Sequence, residues 1–302
     1  MTRLLSCIIL LMSHQHSIIF CGTPKFAVPS LRALLDDPAF EVTMVITQPD
    51  RKVGRKQIMT APPVKILALE RGIPVLQPED INRETLPRTD FLVVVAYGKI
   101  LKQSVLDLPT VAAINVHASL LPRWRGASPI EHAIMAGDTE TGVTIQVMSE
   151  KLDAGPVLAR KEIRLKMQDT SLMLRKELSE LGAELLVAAL KKPLHPVPQP
   201  TEGITICKKL SRADSIVDHT ALPAVEIDRR VRALNPWPGV RITIENQELK
   251  ILETSLTEAK NTIPVSCAQS TTLHLVRVQV PGRKAVSGMH WKIGSRFVHQ
   301  SK

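Results

Sequence analysis

Six consecutive residues, Phe91 to Ala96 (FLVVVA), are apolar without interruption. A strand with one wet face would alternate. An unbroken, valine-rich run suits a strand covered on both faces, as in a parallel sheet sandwiched between helices. Such a strand needs crossover connections, so strand and helix signals should alternate along the chain. They do. Ser17 to Gly22 (SIIFCG) is short and apolar, ends in Gly-Thr-Pro, and leads into a helical pattern with Val28, Leu31, Leu34 and Leu35 on one face. Val42 to Thr47 reads as the next strand, and Val64 to Arg71 as a second helix closed by Gly72. A further strand runs from about Ala112 to His117. Ser128, Pro129 and Glu131 then predict an N-cap, a first helical position and a capping box. Val143, Ile145 and Val147 alternate with polar residues, Asp153 to Pro156 makes a turn, and a strand and a helix over Ser171 to Leu190 follow. The expected fold is α/β, a Rossmann-like doubly wound and mainly parallel sheet.

That domain does not use the whole chain. With 302 residues, 44% of them hydrophobic, two domains are the starting expectation. Pro193, Pro196, Pro198 and Pro200 stiffen an extended connection, and beyond it Ile242, Ile244, Leu249, Ile251, Leu273 and Leu275 have β-like spacing. The division expected is an N-terminal extension over 1–16, a catalytic domain over 17–190, a Pro-rich linker over 191–206 and a small OB-like β-barrel over 207–302. The apolar run Leu4 to Met12 lacks the small-residue cleavage site of a secretory signal and runs almost directly into a strand, and the plainer hypothesis is that Met12 is the start, with the choice between Met1 and Met12 left to the intact mass of the protein. Cys7, Cys21, Cys207 and Cys267 are too scattered for a CxxC pair, and no apolar stretch approaches the roughly 18–20 residues that span a bilayer. A cytoplasmic protein of bacterial type, monomeric and without a membrane partner, is expected.

Charge points to an anionic partner. Lys and Arg number 39 against 29 Asp and Glu, a surplus of ten, and from Thr201 onward the count is 15 against 9, so that third of the chain carries six of the ten. Arg51, Lys52, Arg55 and Lys56 add four cations within six residues on a Gly-containing loop. Such runs are usually solvated surface, and charge alone cannot tell a nucleic acid from a small phosphorylated substrate.

The chemistry-bearing residues lie in the middle of the chain. Strand side chains alternate, so Asn115 and His117 project from one face, at the carboxyl end of a parallel strand where open α/β sheets keep their sites. Asn-x-His alone is weak, because a lone histidine is more often satisfied in the core. Here Ser119-Leu120-Leu121-Pro122-Arg123-Trp124-Arg125-Gly126 follows at once, and Asp153 stands 36 positions after His117 across a helix and a strand.

This constellation resembles the folate-dependent formyltransferases, and most closely their branch whose acceptor is methionyl initiator tRNA. Gly22-Thr-Pro, Thr47-Gln-Pro-Asp-Arg51 with Gly54-Arg55, Val95-Ala-Tyr-Gly98, Gly137-Asp138, Thr141 to Ile145, Lys209-Leu-Ser211 and Asn235 to Gly239 carry the resemblance from about Ser17 to Lys284. It implies that Asn115, His117 and Asp153 are the catalytic set and that 10-formyltetrahydrofolate is the donor. It also implies that Ser119, Leu120, Leu121 and Pro122, with the main chain of Lys99, Ile100 and Leu101, border that donor. The basic loop Arg51, Lys52, Arg55 and Lys56 would meet the tRNA acceptor stem. Around the acid the sequence reads Lys151-Leu-Asp-Ala-Gly-Pro156, closer to the Asp-Ala-Gly-Pro of glycinamide ribonucleotide formyltransferases.

Elementary chemistry agrees with the resemblance. Formyl transfer needs a neutral amine to attack a formamide carbon, with charge developing on oxygen. An Asn amide and an imidazolium can donate to that oxygen, and a carboxylate can orient the imidazole and relay protons. No metal and no covalent nucleophile is required. A dinucleotide oxidoreductase would share the βαβ pattern, but Gly22-Thr-Pro is not Gly-x-Gly-x-x-Gly. A non-enzymatic RNA-binding protein would leave the trio idle. A glycinamide ribonucleotide enzyme would normally stop near residue 200, whereas this chain continues into a basic, β-rich region.

Overall fold

The computed structural model describes residues 15–54 and 56–299. The proposed start at Met12, nearly all of the N-terminal extension and Arg55 lie outside the described residues. By spatial grouping the chain forms two compact units. One takes residues up to 125 with 142–162 and 176–204; the other takes 126–141, 163–175 and 205 onward.

The first unit is built on strands β1 (His16–Gly22), β2 (Phe40–Ile46), β5 (Val75–Leu76), β6 (Phe91–Val95) and β7 (Ala112–His117). The short strands β3 (Arg51–Val53) and β4 (Ile58–Thr60) form a separate antiparallel hairpin where the sequence suggested only a loop, and β8 (Arg125–Gly126) and β11 (Ile206–Cys207) are strands of two residues each. The main sheet runs in the order β10, β9, β7, β6, β1, β2, β5, with β9 spanning Glu140–Val147 and β10 Val157–Arg164. Pairings β1–β2, β2–β5, β1–β6 and β6–β7 are parallel, while β7–β9 is antiparallel. The chain first builds to one side of β1 and then returns to the other side at β6, so the order reverses between β1 and β6. Crevices for ligands open at such a switch point, outside the carboxyl ends of the strands.

Every residue of β6 is buried, as its unbroken apolar run requires. Helix α1 (Val28–Asp36) packs on β2 and on α2 (Pro63–Glu70). Under β6 and β1 lies a core of Ile19, Cys21, Ile46, Leu92, Val94, Tyr97 and Leu101. Helix α3 (Gln103–Leu106) contributes Val105 and Leu106 to it. Asp90, just before β6, fastens the amino-terminal edge. Its carboxylate accepts from the Ser17 N–H at 2.9 Å and from the hydroxyls of Ser17 at 3.2 Å and Thr110 at 2.9 Å.

In the second unit the predicted capping box is absent. Helix α4 (Pro129–Ala136) starts after Ser128, but the Ser128 side chain caps no N–H, and Glu131 is buried in an ion pair with Arg175 instead. An arginine within reach is a stronger partner for the carboxylate than a backbone amide, so the local signal loses to a tertiary contact. Helix α4 packs on α6 (Ala224–Leu234), while the long helix α5 (Ser171–Leu190), most of which belongs to the first unit, has the bounds the sequence predicts.

The carboxy-terminal β region is an antiparallel sheet in the order β12 (Val240–Ile244), β13 (Gln247–Ser255), β15 (Thr271–Gln279) and β14 (Ile263–Cys267), with β16 (Val286–Ser287) paired on β15. Glu245 and Asn246, both at positive φ, turn β12 back into β13, the geometry a two-residue hairpin requires. Asn235 ties the end of α6 to the sheet, its Nδ2 donating to the carbonyls of Val231 at 3.0 Å and Ile251 at 3.1 Å. The last helix, α7, spans Gly288–His299. Among the described residues no helix is long and apolar enough to cross a membrane.

Candidate active site

Register decides which side chains meet. Asn115 pairs with Gln146 and His117 with Thr144 across the antiparallel β7–β9 ladder, so these four share one sheet face. Val116, pointing the other way, is met by Gly182 of α5. A Cβ on Gly182 would stand 2.9 Å from Val116 Cγ1, so this face is closed by a helix packed at backbone distance. The face bearing Asn115 and His117 is left for the crevice.

Asp153 reaches that face from the turn after β9. Its Oδ1 accepts from Asn115 Nδ2 at 3.2 Å and Gln146 Nε2 at 3.1 Å, and lies 3.6 Å from His117 Nδ1. The last distance suits an ion pair when the ring is protonated and is too long for a hydrogen bond. The site is enclosed, with the His117 side chain 6% and the Asp153 side chain 10% exposed. His117 Nε2 lies 2.9 Å from the Trp124 carbonyl, which can only accept, so the ring carries a hydrogen on Nε2. The structure therefore brings together the three residues that the sequence singled out.

Three non-glycine residues around the site have left-handed backbone conformations. Ala96 (φ 47°), Trp124 (φ 59°) and Asp153 (φ 48°) all lie in the left-handed region, and each belongs to a segment bordering the crevice. Such conformations cost about 1–2 kcal/mol each and persist where surroundings enforce them. At Asp153 the enforcement is visible. A Cβ on Gly155 would stand 1.8 Å from the Val147 carbonyl oxygen, so the turn closes on β9 at a distance only glycine allows.

The loop after His117 is anchored from within. Ser119 Oγ donates to Arg123 O at 2.6 Å, Thr144 Oγ1 donates to Ser119 O at 2.7 Å, and Leu121 N donates to Thr144 Oγ1 at 3.1 Å. Leu121 is fully buried, whereas Leu120 and Pro122 are half-buried. At the switch point the Tyr97 carbonyl accepts from Thr23 Oγ1 at 3.0 Å and Gln48 Nε2 at 3.1 Å. Past it Lys99 and Ile100 are exposed, Ile100 at 81%, while Leu101 turns into the core. Asn82 braces this segment, donating to Ile100 O at 3.0 Å and accepting from Lys102 N at 2.7 Å.

Arg51 and Lys52 project from β3 and Lys56 from the hairpin turn, all exposed beside Val53, Ile58 and Met59. Among the described cations of this group, Arg51 is oriented by a side chain from the segment just after β2, its Nη2 donating to Gln48 Oε1 at 2.8 Å.

Sequence reasoning missed two residues. Gln146 had a readable signal, a large polar side chain on a strand whose other buried positions carry only Thr, Gly, Val and Ile. Gln199 had none, since it sits among prolines in a stretch read as a linker, yet its Nε2 donates to the carbonyls of Asp153 at 2.9 Å and Gly155 at 2.7 Å. Among the described residues no group of three or more His, Cys, Asp or Glu is placed to hold a metal ion.

Comparison with known proteins adds family membership. Residues 15–190 match the family described as formyl transferase, and residues 209–296 match its C-terminal domain. Methionyl-tRNA formyltransferase of Myxococcus xanthus is 42% identical over 308 residues, covering 94% of this chain and 97% of that protein. Methionyl-tRNA formyltransferase of Halorhodospira halophila is 47% identical over 244 residues, covering 78% of each. Among solved structures, the N-formyltransferase of Helicobacter canadensis, in complex with folinic acid and dTDP-3-aminofucose, superposes with a TM-score of 0.66. It is 17% identical, over 86% of this chain and 98% of that one. Methionyl-tRNA formyltransferase from Clostridium thermocellum superposes at 0.58, with 14% identity over 88% and 99%. At these identities the superpositions speak for the fold.

Proposed function

The chain belongs to the methionyl-tRNA formyltransferase family, and from that premise we propose that it carries a formyl group from 10-formyltetrahydrofolate to the amino group of methionyl initiator tRNA. The observation that carries the reading is the convergence of Asn115, His117 and Asp153 on one sheet face at the carboxyl end of β7. This donor set fits the cosubstrate: two N–H donors and one carboxylate, largely buried at the carboxyl end of β7. When bound, 10-formyltetrahydrofolate supplies the carbon that the amine attacks.

In this reading Asn115 Nδ2 and His117 donate to the formyl oxygen as charge develops there, an arrangement in which losing one donor costs about 10²–10³ in rate. Asp153 holds both donors on its Oδ1 side, takes up the proton that the attacking amine releases and returns it to the folate nitrogen as the bond between that nitrogen and the formyl carbon breaks, so that tetrahydrofolate leaves neutral. His117 must exchange the Trp124 carbonyl for the substrate oxygen to do this. The loop from Ser119 to Pro122 and the main chain of Lys99 to Leu101 border the donor. Arg51, Lys52, Arg55 and Lys56 meet the acceptor stem, and the basic carboxy-terminal region holds the rest of the tRNA. The enzyme works as a monomer in a bacterial-type cytoplasm.

The test is to incubate the purified chain with 10-formyltetrahydrofolate and, separately, methionyl initiator tRNA, methionyl elongator tRNA and glycinamide ribonucleotide. Formyl methionine on the initiator tRNA is expected; formylation of the nucleotide alone would sink the reading. Undiminished turnover by His117→Ala would overturn the assignment of the donors.

A further inference from the structure

Four prolines within Pro193 to Pro200 suggest a passive strap, and most side chains in that stretch are exposed. Gln199 is not. The Val197 backbone exchanges two hydrogen bonds with Val157, N–H to carbonyl at 2.9 Å one way and 2.7 Å the other, which seats the strap against the first residue of β10. That places Gln199 alongside the turn carrying Asp153.

Its amide is fully engaged. Nε2 donates to Asp153 O and Gly155 O, with a longer contact of 3.4 Å to Gln146 Oε1. Oε1 accepts from Arg125 Nε at 3.1 Å and Nη2 at 2.7 Å. Carbonyls only accept and a guanidinium only donates, so the amide has one orientation and no flipped alternative. Arg125 in turn closes the loop whose Trp124 carbonyl meets His117 Nε2. One amide thus joins the two segments that bracket His117: the turn bearing the carboxylate and the loop bearing the opposing carbonyl.

We propose that Gln199 is a positioning residue for the reaction, acting with Arg125 through the backbone of Asp153 and Gly155 to hold the carboxylate on Asn115 and His117. A mere strut would lower the stability of the fold when removed but leave the folded molecules equally active. A positioning residue lowers kcat in molecules that remain folded and leaves KM in place, since a displacement of about 1 Å at the reacting groups can cost on the order of 10²-fold in rate.

The proposal rests on the formyl-transfer reading, so the wild-type chain is assayed first. Absence of formylation there defeats that reading and not the role of Gln199. With activity established, Gln199→Met, Gln199→Glu, Arg125→Met and the Arg125→Met/Gln199→Met pair are compared, each scaled by its folded fraction from circular dichroism. Gln199→Met is expected to lose about 10- to 100-fold in kcat with KM for both substrates within about twofold. Gln199→Glu, the same size but aiming an oxygen at two carbonyls, should fall at least as far. The pair should lose no more than the worse single variant, because both act through one connection. Wild-type kcat in folded Gln199→Met, or losses that simply add in the pair, would overturn the proposal. Were Gln199→Met not to fold, Arg125→Met, which leaves the amide present but unanchored, decides it: unchanged kcat there is equally fatal.

Discussion

Asp153 Oδ1 receives two amide donors, from Asn115 and Gln146, so a carboxylate oxygen is matched and an amide nitrogen at that place would face two like groups. Asp153→Asn must either turn its oxygen toward them and its nitrogen elsewhere, or break the cluster; in both cases the carboxylate proposed as proton acceptor is gone. Steady-state assays should show kcat down by about 10²-fold or more with donor KM little changed, and equal losses in binding and turnover would count against this assignment. Gly155→Ala tests the backbone. Its methyl group would meet the Val147 carbonyl at 1.8 Å, so the turn must move, with about 1–3 kcal/mol of destabilisation and lower kcat. An active, equally stable Gly155→Ala chain would show that the close approach is incidental. Asn115 and His117 were legible because strand alternation and strand-end position are written locally. Gln199 was not, because nothing in its neighbours says that the strap doubles back onto β10.

Elements were legible where one periodicity dominated. The run Phe91–Val95 and the helix Ser171–Leu190 needed no tertiary information, the first being apolar throughout and the second long and uninterrupted. The cap at Ser128 failed because Glu131 had a distant competitor in Arg175, and the hairpin β3–β4 was read as loop because its strands bury no face. How β1 and β6 are fastened at their shared start was likewise invisible, as Ser17 and Asp90 are far apart in sequence. The Ser17 main-chain N–H first, then the Thr110 and Ser17 hydroxyls, hold the Asp90 carboxyl below the usual carboxylate range, against the opposing effect of burial. A group whose pKa is lower folded than unfolded stabilises the fold above its unfolded value, and that contribution is lost as pH falls through the folded one. Asp90→Asn should therefore cost about 1.5–3 kcal/mol near neutrality, with the gap from wild type closing as pH drops below about 4. Urea midpoints taken across pH would measure it, and a constant gap would contradict the account.

Over the chain as a whole the informative quantity is charge. Six of the ten surplus positive charges lie beyond residue 200, and further cations crown the β3–β4 hairpin. Binding of initiator tRNA should weaken linearly on a log–log plot against salt, as released counterions require. Lys52→Ala with Lys56→Ala should reduce the slope by about two if each side chain meets one phosphate, with little effect on 10-formyltetrahydrofolate. A fluorescence titration over several salt concentrations would read both, and an unaltered slope would remove the hairpin from the interface. The hydrogen bond between His117 Nε2 and the Trp124 carbonyl bears on such measurements too. A tethered group at contact distance is an internal competitor, because tethering turns the encounter into an intramolecular one. Under the proposed mechanism the formyl oxygen that takes its place gains only the difference between two similar bonds, so loosening the tether is expected to tighten ground-state binding without improving the donor itself.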